Sequence, residues 1–173
     1  MFVFLIIAIA SCNKDEFEDI DLSKAGHPRI LLLANEEDQI KELIDRDEAM
    51  RKIHAAIMRE SNRILGRDPL KRVMVGRRLL GTSRELLKRS FFLSYAYRMT
   101  GEDRFLQRAE KELVAVAQFS DWNPSHFLDV AEMTTGMAIG YDWLFEHLSS
   151  SARSQIRDAI KSKGIEPSFD SKY

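Results

Sequence analysis

The sequence predicts an all-α fold built from antiparallel helical hairpins. Apolar residues recur at helical spacing along most of the chain, and the links between these stretches are short. Only 8 Gly and 4 Pro occur in 173 residues, whereas a fold of many short strands needs tight turns more often. The hydrophobic content of 45% and the charged content of 31% are typical of an ordinary globular domain.

The first two helices are predicted over residues 36–46 and 47–65, each with its apolar positions on one face. These positions are Ile40, Leu43 and Ile44 in the first helix and Met50, Ile53, Ile57 and Ile64 in the second. Gly66 and Pro69 then break the pattern.

A longer apolar pattern covers residues 72–99, and Gly81 to Ser83 could divide it into two helices. Gly101 is expected to end this pattern in the left-handed conformation. The next helix is predicted over residues 105–119.

Residues 124–147 predict a further helix, with Asn123 as its N-cap and Pro124 as its first helical residue. Ser149 is expected to cap a last helix, which Gly164 and Pro167 close. Composition and spacing establish only the all-α class, since antiparallel hairpins form both bundles and rings.

The first ten residues are almost wholly apolar, too few to span a bilayer but enough for the hydrophobic part of a signal peptide. They lead into Ile9-Ala10-Ser11-Cys12, which looks like a bacterial lipobox. We therefore predict a lipoprotein signal peptide over residues 1–12, lipidation of Cys12 and a polar tether over residues 13–25. The expected location is the bacterial periplasm or outer membrane, held by the lipid anchor alone.

Two observations bear on that interpretation. Cys12 is the only cysteine, which excludes an intramolecular disulfide and suits a cysteine kept for an anchor. No lysine or arginine precedes the apolar run, which departs from the usual signal peptide. An unremarkable apolar start with an incidental cysteine is the alternative.

Residues 121–144 are the most informative stretch, because charged and aromatic side chains stand among small residues in one helix. Such a mixture indicates the wall of a cleft more than an ordinary surface helix. A second notable segment, His27-Pro28-Arg29-Ile30-Leu31-Leu32-Leu33, precedes the first predicted helix.

Together, and in this order, the two segments resemble the heparinase II/III-like polysaccharide lyases and their alginate-lyase relatives. The resemblance implies that residues 26–173 form the N-terminal portion of an α/α toroid, a truncated one, whose inner helices face a uronate-containing chain. It implies β-elimination of an acidic polysaccharide of the heparin, heparan sulfate or alginate type, without cofactor or metal. The expected catalytic segment is not recognised here, so we expect no catalytic residue and no activity of this chain alone; whether it is an enzyme stays open.

Substrate contacts are predicted from the segment over residues 122–143. The candidates are Trp122, Asn123, His126, Asp129, Glu132, Tyr141 and Trp143. Aromatic faces stack on sugar rings, and Trp122, expected in a loop, is the best candidate for this. The positive end of the helix dipole favours an anion beside Asn123 and His126.

Structural roles for the same residues remain open. Asn123 could serve only as a helix cap, and Tyr141 and Trp143 could pack in the core. Asp129 and Glu132 could be buried acids, which would then require partners. The candidate partners are Arg77, Arg84 and Arg98. A metal set of His126, Asp129 and Glu132 is disfavoured, since Glu132 lies about 120° around the helix from His126.

The net charge of −1 gives no overall indication of partners. Basic residues are in excess between residues 63 and 98, which could attract a polyanion such as an acidic polysaccharide. A solvated face balanced by the acidic stretch over residues 36–48 is the simpler interpretation. Nucleic acid is not expected, because no binding motif for it is present.

Two other functions are compatible with this sequence. One is a non-catalytic, helical carbohydrate-binding lipoprotein, and the other is a helical protein-interaction scaffold. Binding of glycans would separate the first from the second.

Overall fold

The computed structural model describes residues 26–172, and this part of the chain is all-helical, which confirms the predicted class. The only β-type pairing within it is an isolated bridge between Val75 and Arg78. The predicted signal peptide (residues 1–12, with Cys12) and the tether (residues 13–25) lie outside the described residues. Among residues 26–172, no helix combines the length and apolar character that crossing a bilayer requires.

Six α-helices occur between residues 26 and 172. They are α1 (Glu37–Arg46), α2 (Glu48–Leu65), α3 (Leu80–Thr100), α4 (Asp103–Ala117), α5 (Phe127–Leu144) and α6 (Ser150–Ala159). A π-helical turn, Ile160–Ile165, and a 3-10 turn, Glu166–Phe169, continue from α6.

Side chains and glycines set several of these boundaries. The Asp47 carboxylate accepts the first free N–H groups of α2, from Ala49 at 2.7 Å and Met50 at 3.0 Å. Gly101 ends α3 with φ 70°, as predicted, and its N–H donates to the Tyr97 carbonyl. The predicted cap Ser149 is confirmed by its bond from the Ala152 N–H.

Three predicted boundaries were wrong. Helix α3 is a single helix that begins at Leu80, so Gly81 lies in its first turn and residues 71–79 are a loop. Helix α5 begins at Phe127, three residues after Pro124. Gly164 does not end the last helix but lies inside the π-helical turn, where it is buried.

Helices α3 and α5 form the centre of the fold and pack more extensively on each other than any other pair. The two helices run parallel. At their N-terminal ends, Leu79 before α3 bonds to Asp129 in the first turn of α5, and at their C-terminal ends, Tyr97 and Trp143 line one cavity. Helices α2, α4 and α6 flank this pair. The core between them contains Leu86, Leu93, Leu113, Met133 and Met137, all fully buried.

Residues 26–35, which we call the strap, run across the C-terminal ends of α3 and α5. Its buried Leu32 joins Ile139 and Trp143 in a second, smaller core. The strap therefore carries the first sequence motif to the helix that carries the second.

Candidate functional site

The predicted contact residues fall into two groups at opposite ends of α5. Trp122, Asn123, His126, Asp129 and Glu132 lie at or just before its N-terminal end, and Tyr141 and Trp143 lie at its C-terminal end. At 1.5 Å per residue, Asp129 and Tyr141 are about 18 Å apart along the helix axis. One small ligand therefore cannot contact both groups.

Asp129 is the centre of the N-terminal group, and it is fully buried. Its Oδ2 accepts hydrogen bonds from the Leu79 N–H at 2.7 Å and from Asn123 Nδ2 at 2.7 Å. Its Oδ1 accepts from Arg78 Nη2 at 3.1 Å and Nε at 3.3 Å. Burial raises the pKa of Asp129, but these hydrogen bonds outweigh it and hold that pKa below its ordinary value. Asp129 is thus an ionised anchor for the loop before α3.

Asn123 donates a hydrogen bond to Asp129 and is not the N-cap of α5. It adopts a left-handed conformation, with φ 62°, and its side chain is buried. Besides its bond to Asp129, its Nδ2 donates to the Arg77 carbonyl at 2.9 Å. The residue before α5 is instead His126, which makes no side-chain cap bond. The first N–H groups of α5 thus have no side-chain acceptor from their N-cap, unlike those of α2.

His126 and Glu132 complete the N-terminal group. The His126 side chain is 37% exposed, and its Nδ1 lies 3.9 Å from Asp129 Oδ1. Glu132 accepts a hydrogen bond from Ser83 Oγ at 2.6 Å and pairs with Arg84 Nε at 3.4 Å. Arg84 was among the predicted partners, whereas the arginine that pairs with Asp129 is Arg78, which was not.

A basic rim surrounds these acids. The Arg84 side chain is 63% exposed and that of Arg78 is 33% exposed. Arg77 is exposed, and its guanidinium has no ion pair among the described residues. Gly76, with φ 59°, turns the chain so that Arg77 and Arg78 come beside α5. We call this set the head cluster: Arg77, Arg78, Arg84, His126, Asp129 and Glu132.

Sequence reasoning did not identify Arg77 and Arg78 as residues of a site, although one feature of the sequence pointed to them. Gly76 stands directly before the two arginines, where a loop glycine indicates a turn. The pairing of Arg78 with an acid 51 positions away was not readable from local pattern.

Trp122 is not available to a sugar, which corrects its assignment as the best carbohydrate platform. It lies in the loop before α5, as predicted, but it is 0% exposed. Its indole Nε1 donates to the Val116 carbonyl at 3.3 Å. Gly164 of the π-helical turn approaches the Trp122 ring, since a Cβ there would lie 3.1 Å from Cζ3.

Trp143, in the C-terminal group, is buried in the second core. Its Nε1 donates to the Ile30 carbonyl at 2.7 Å, and the Arg98 guanidinium lies 5.4 Å from its ring centre. Tyr141 is half-buried, with its ring edge-on to Phe145 at 5.3 Å. The core interpretation thus describes Trp143 well, and Tyr141 keeps a partly exposed ring.

Asp142, between these aromatic residues, holds the strap, and its role was not predicted. Its Oδ1 lies 2.6 Å from His27 Nδ1, and its Oδ2 accepts from the N–H groups of Arg29 at 2.8 Å and Ile30 at 2.9 Å. The motif around His27 and the motif around Asp142 are therefore in direct contact.

A cavity of about 400 Å³ lies between the strap and the C-terminal ends of α3 and α5. We call it the tail cavity. Its principal walls are Glu37, Tyr97, Arg98, Asp142, Trp143 and Phe145, with Glu146 and His147 just past α5. Its lining holds three carboxylates (Glu37, Asp142, Glu146) and three aromatic side chains (Tyr97, Trp143, Phe145) beside one arginine and two histidines, in contrast to the basic rim of the head cluster.

Between residues 26 and 172, no group of three His, Cys, Asp or Glu side chains is placed to hold a metal ion. The carboxylates of Asp129 and Glu132, weighed earlier as metal ligands, bond instead to separate side chains.

Comparison with known proteins adds no family. No protein-family model matches the chain, and no curated protein matches it significantly.

Proposed function

We propose that this chain forms part of a polysaccharide lyase of the heparinase II/III-like type and binds the anionic groups of an acidic glycan at its head cluster. The proposed reaction of the whole lyase is β-elimination of a uronate-containing polysaccharide. We further propose a periplasmic or outer-membrane location, with the protein anchored through a lipid on Cys12. No catalytic residue is assigned to this chain.

The observation that carries the proposal is the fixed Arg78 guanidinium beside two exposed arginines. Asp129 holds Arg78 in place, Arg77 precedes it in the loop before α3, and Arg84 of α3 pairs with Glu132, one turn along α5 from Asp129. Guanidinium groups recognise carboxylates and sulfates through paired hydrogen bonds. The N-terminal end of α5 adds the positive end of a helix dipole. The head cluster thus favours an anion.

A second support is the contact between the two motifs. Asp142 binds the His27 ring and two strap amides, while Trp143 binds the Ile30 carbonyl. Parallel central helices with flanking helices are compatible with both a bundle and a toroid. The resemblance favours the toroid.

Neutralising a carboxylate is chemically relevant to β-elimination. Removing the proton next to a uronate carboxylate places negative charge on that group, and a cation beside the carboxylate lowers the activation free energy of this step. The head cluster can contribute such a contact as binding alone, while the base and the acid come from elsewhere in the proposed lyase.

The test is a calorimetric titration of the chain with uronate oligosaccharides from heparan sulfate and from alginate. We expect the double variant R77Q/R84Q to bind at least about fivefold more weakly, and added salt to weaken binding by the wild type. The control is Arg59→Gln, which removes an exposed arginine of α2 without changing affinity. Equal affinity of both variants, or equal binding of a neutral dextran, would contradict the proposal.

Enzymatic activity provides a separate readout. Unsaturated uronates absorb in the ultraviolet, and we expect the chain alone to release none from either polysaccharide. Their release would show that catalytic residues lie within residues 1–173.

The protein-interaction scaffold remains a second candidate because one flank of α5 is apolar and exposed. Phe127 is 39% exposed, Ala131 and Thr135 are also exposed, and all three line a groove of about 410 Å³. A scaffold would not respond to glycans, and Phe127→Glu would abolish its protein complex without affecting the helix content.

A further inference from the structure

We propose that the tail cavity binds a small organic ammonium ion, such as the protonated amine of an amino sugar or of a polyamine. This site is separate from the head cluster and does not depend on the proposed lyase function.

The charges of the cavity wall favour a cation. Glu37 and Arg98 neutralise each other, with Nη2 and Oε1 2.5 Å apart. The carboxylate of Asp142 is used by His27 and the strap amides. Glu146 is exposed at the cavity and has no ion pair among the described residues. One carboxylate is therefore left to receive a charged ligand.

The helix ends strengthen this preference. Gly101 after α3 and Phe145 after α5 both line the cavity, so the carbonyl groups of two helix C-termini lie close to it. Each such end carries a partial negative charge. Arg98 compensates the end of α3, but α5 has no basic residue in its last turn. Arg153 of α6 donates to the Phe145 carbonyl at 3.4 Å and compensates part of the charge at this end, so the charge without an ion pair beside it, within the described part of the chain, is that of Glu146.

The aromatic walls already contact cations of the chain itself. The Arg98 guanidinium lies 5.4 Å from the Trp143 ring centre, and that of Arg153 lies 5.0 Å from the Phe145 ring centre. Aromatic faces attract cations, and the effect is larger where water is partly excluded. Tyr97, edge-on to His147 at 5.0 Å, adds a third ring for a ligand to contact.

The volume and the remaining polar groups define the size of the ligand. A cavity of about 400 Å³ is near the lower end of the range for small-molecule sites and accommodates a monosaccharide or a short diamine. Asn35 and His147 line the cavity and can hydrogen-bond to hydroxyl groups. We place the ammonium group between Glu146 and the end of α5.

The experiment is a titration of the ¹⁵N-labelled full chain, followed by NMR, with glucosamine, glucose and spermidine as probes. Glucosamine and glucose share a ring and differ by one charged amine. We expect saturable shifts of the Gly101 N–H and of the Trp143 indole N–H with glucosamine, and none with glucose. Spermidine is an amine without a sugar ring. Binding of both glucosamine and spermidine would indicate a site for organic amines in general, and binding of glucosamine alone would indicate a site that also requires the sugar ring.

Glu146→Gln is the decisive variant, because an exposed side chain without a partner can be changed without loss of the fold. We expect it to weaken glucosamine binding at least about fivefold. Glu42→Gln, which changes an exposed glutamate of α1, is the control and leaves binding unchanged. Equal shifts with glucose, no response to either amine, or unchanged affinity of Glu146→Gln would overturn the proposal. Binding of uronate oligosaccharides to Glu146→Gln should be normal, so this test is independent of the head cluster.

Discussion

His27 Nδ1 lies 2.6 Å from Asp142 Oδ1, and this contact joins residues 115 positions apart. The His27 ring also stacks on Phe145, with ring centres 3.9 Å apart. The backbone groups of a segment outside helices and strands need hydrogen-bond partners when they leave water. In the strap, these partners are side chains: Asp142 accepts its N–H groups, and Trp143 and Arg98 donate to its carbonyls. Helices α3 and α5 thus hold the strap as a neighbouring strand would.

Replacing Asp142 by Asn should release the strap. The carboxylate accepts from two backbone amides and His27, and an amide cannot replace all three bonds. We expect the free energy of unfolding to fall by about 2–3 kcal/mol. Hydrogen exchange at the Arg29 and Ile30 amides should become faster. Glu146→Gln, in the same cavity, is the control. If the Asp142→Asn variant exchanged these two amides at the wild-type rate, the role assigned to Asp142 would be contradicted.

Asp129→Asn should destabilise the fold in a pH-dependent way. Burial raises the pKa of Asp129, and bonds from Arg78, Leu79 and Asn123 bring it below the ordinary value of 3.8. A lowered folded-state pKa gives stability that is complete above the ordinary value and is lost as the pH falls through the folded-state pKa.

We therefore expect Asp129→Asn to lose roughly 3 kcal/mol of unfolding free energy at neutral pH. The difference from the wild type should stay constant down to about pH 5 and shrink below about pH 4. Urea unfolding at several pH values measures it. A difference that does not change with pH would mean that the charge of Asp129 contributes nothing.

Gly164→Ala tests the close packing of the π-helical turn on α5. A Cβ at Gly164 would lie 2.5 Å from Thr134 Oγ1 and 3.1 Å from the buried Trp122 ring. We expect a loss of about 1–3 kcal/mol in thermal unfolding. Gly81→Ala is the matched control: nothing lies within 4 Å of its Cβ position in α3, and alanine should stabilise the helix by about 0.5–1 kcal/mol. Equal effects of the two changes would refute the packing argument.

Glu112→Gln tests a buried charge cluster. Glu112 accepts from Arg89 Nη1 at 2.6 Å, from Arg108 Nε at 3.0 Å and from the Leu70 N–H at 2.9 Å. Without its charge, two buried guanidinium groups lose their shared partner, so we expect a loss of about 3–5 kcal/mol. The measurement is urea unfolding, with Glu42→Gln as the surface control. A loss no greater than that of the control would show that Glu112 is not essential to the cluster.

The wrong start of α5 shows where local pattern fails. Asn123-Pro124 has the form of a cap followed by a first helical residue. In the structure, the Asn123 amide bonds to Asp129 and to the Arg77 carbonyl, and the backbone takes φ 62°. A hydrogen-bond network across 46 positions thus overrode the local signature.

Trp122 gives the corresponding lesson for the candidate site. Its position between two helices was correctly predicted, but a loop position does not determine exposure. Gly164 of the π-helical turn packs on the Trp122 ring, and no sequence pattern near Trp122 predicts that contact.

The all-α class, most helix boundaries and the ends at Gly101 and Ser149 follow from the sequence by itself, because periodicity and capping act over a few neighbouring residues. Only the tertiary structure decided which acidic side chains stabilise the fold and which basic side chains have no ion pair among residues 26–172. Asp129 and Asp142 bond to segments 50 or more positions away, which commits them to holding a loop and the strap. These assignments depend on how α3 and α5 pack, since hydrogen bonds between distant segments form only once the helices are side by side.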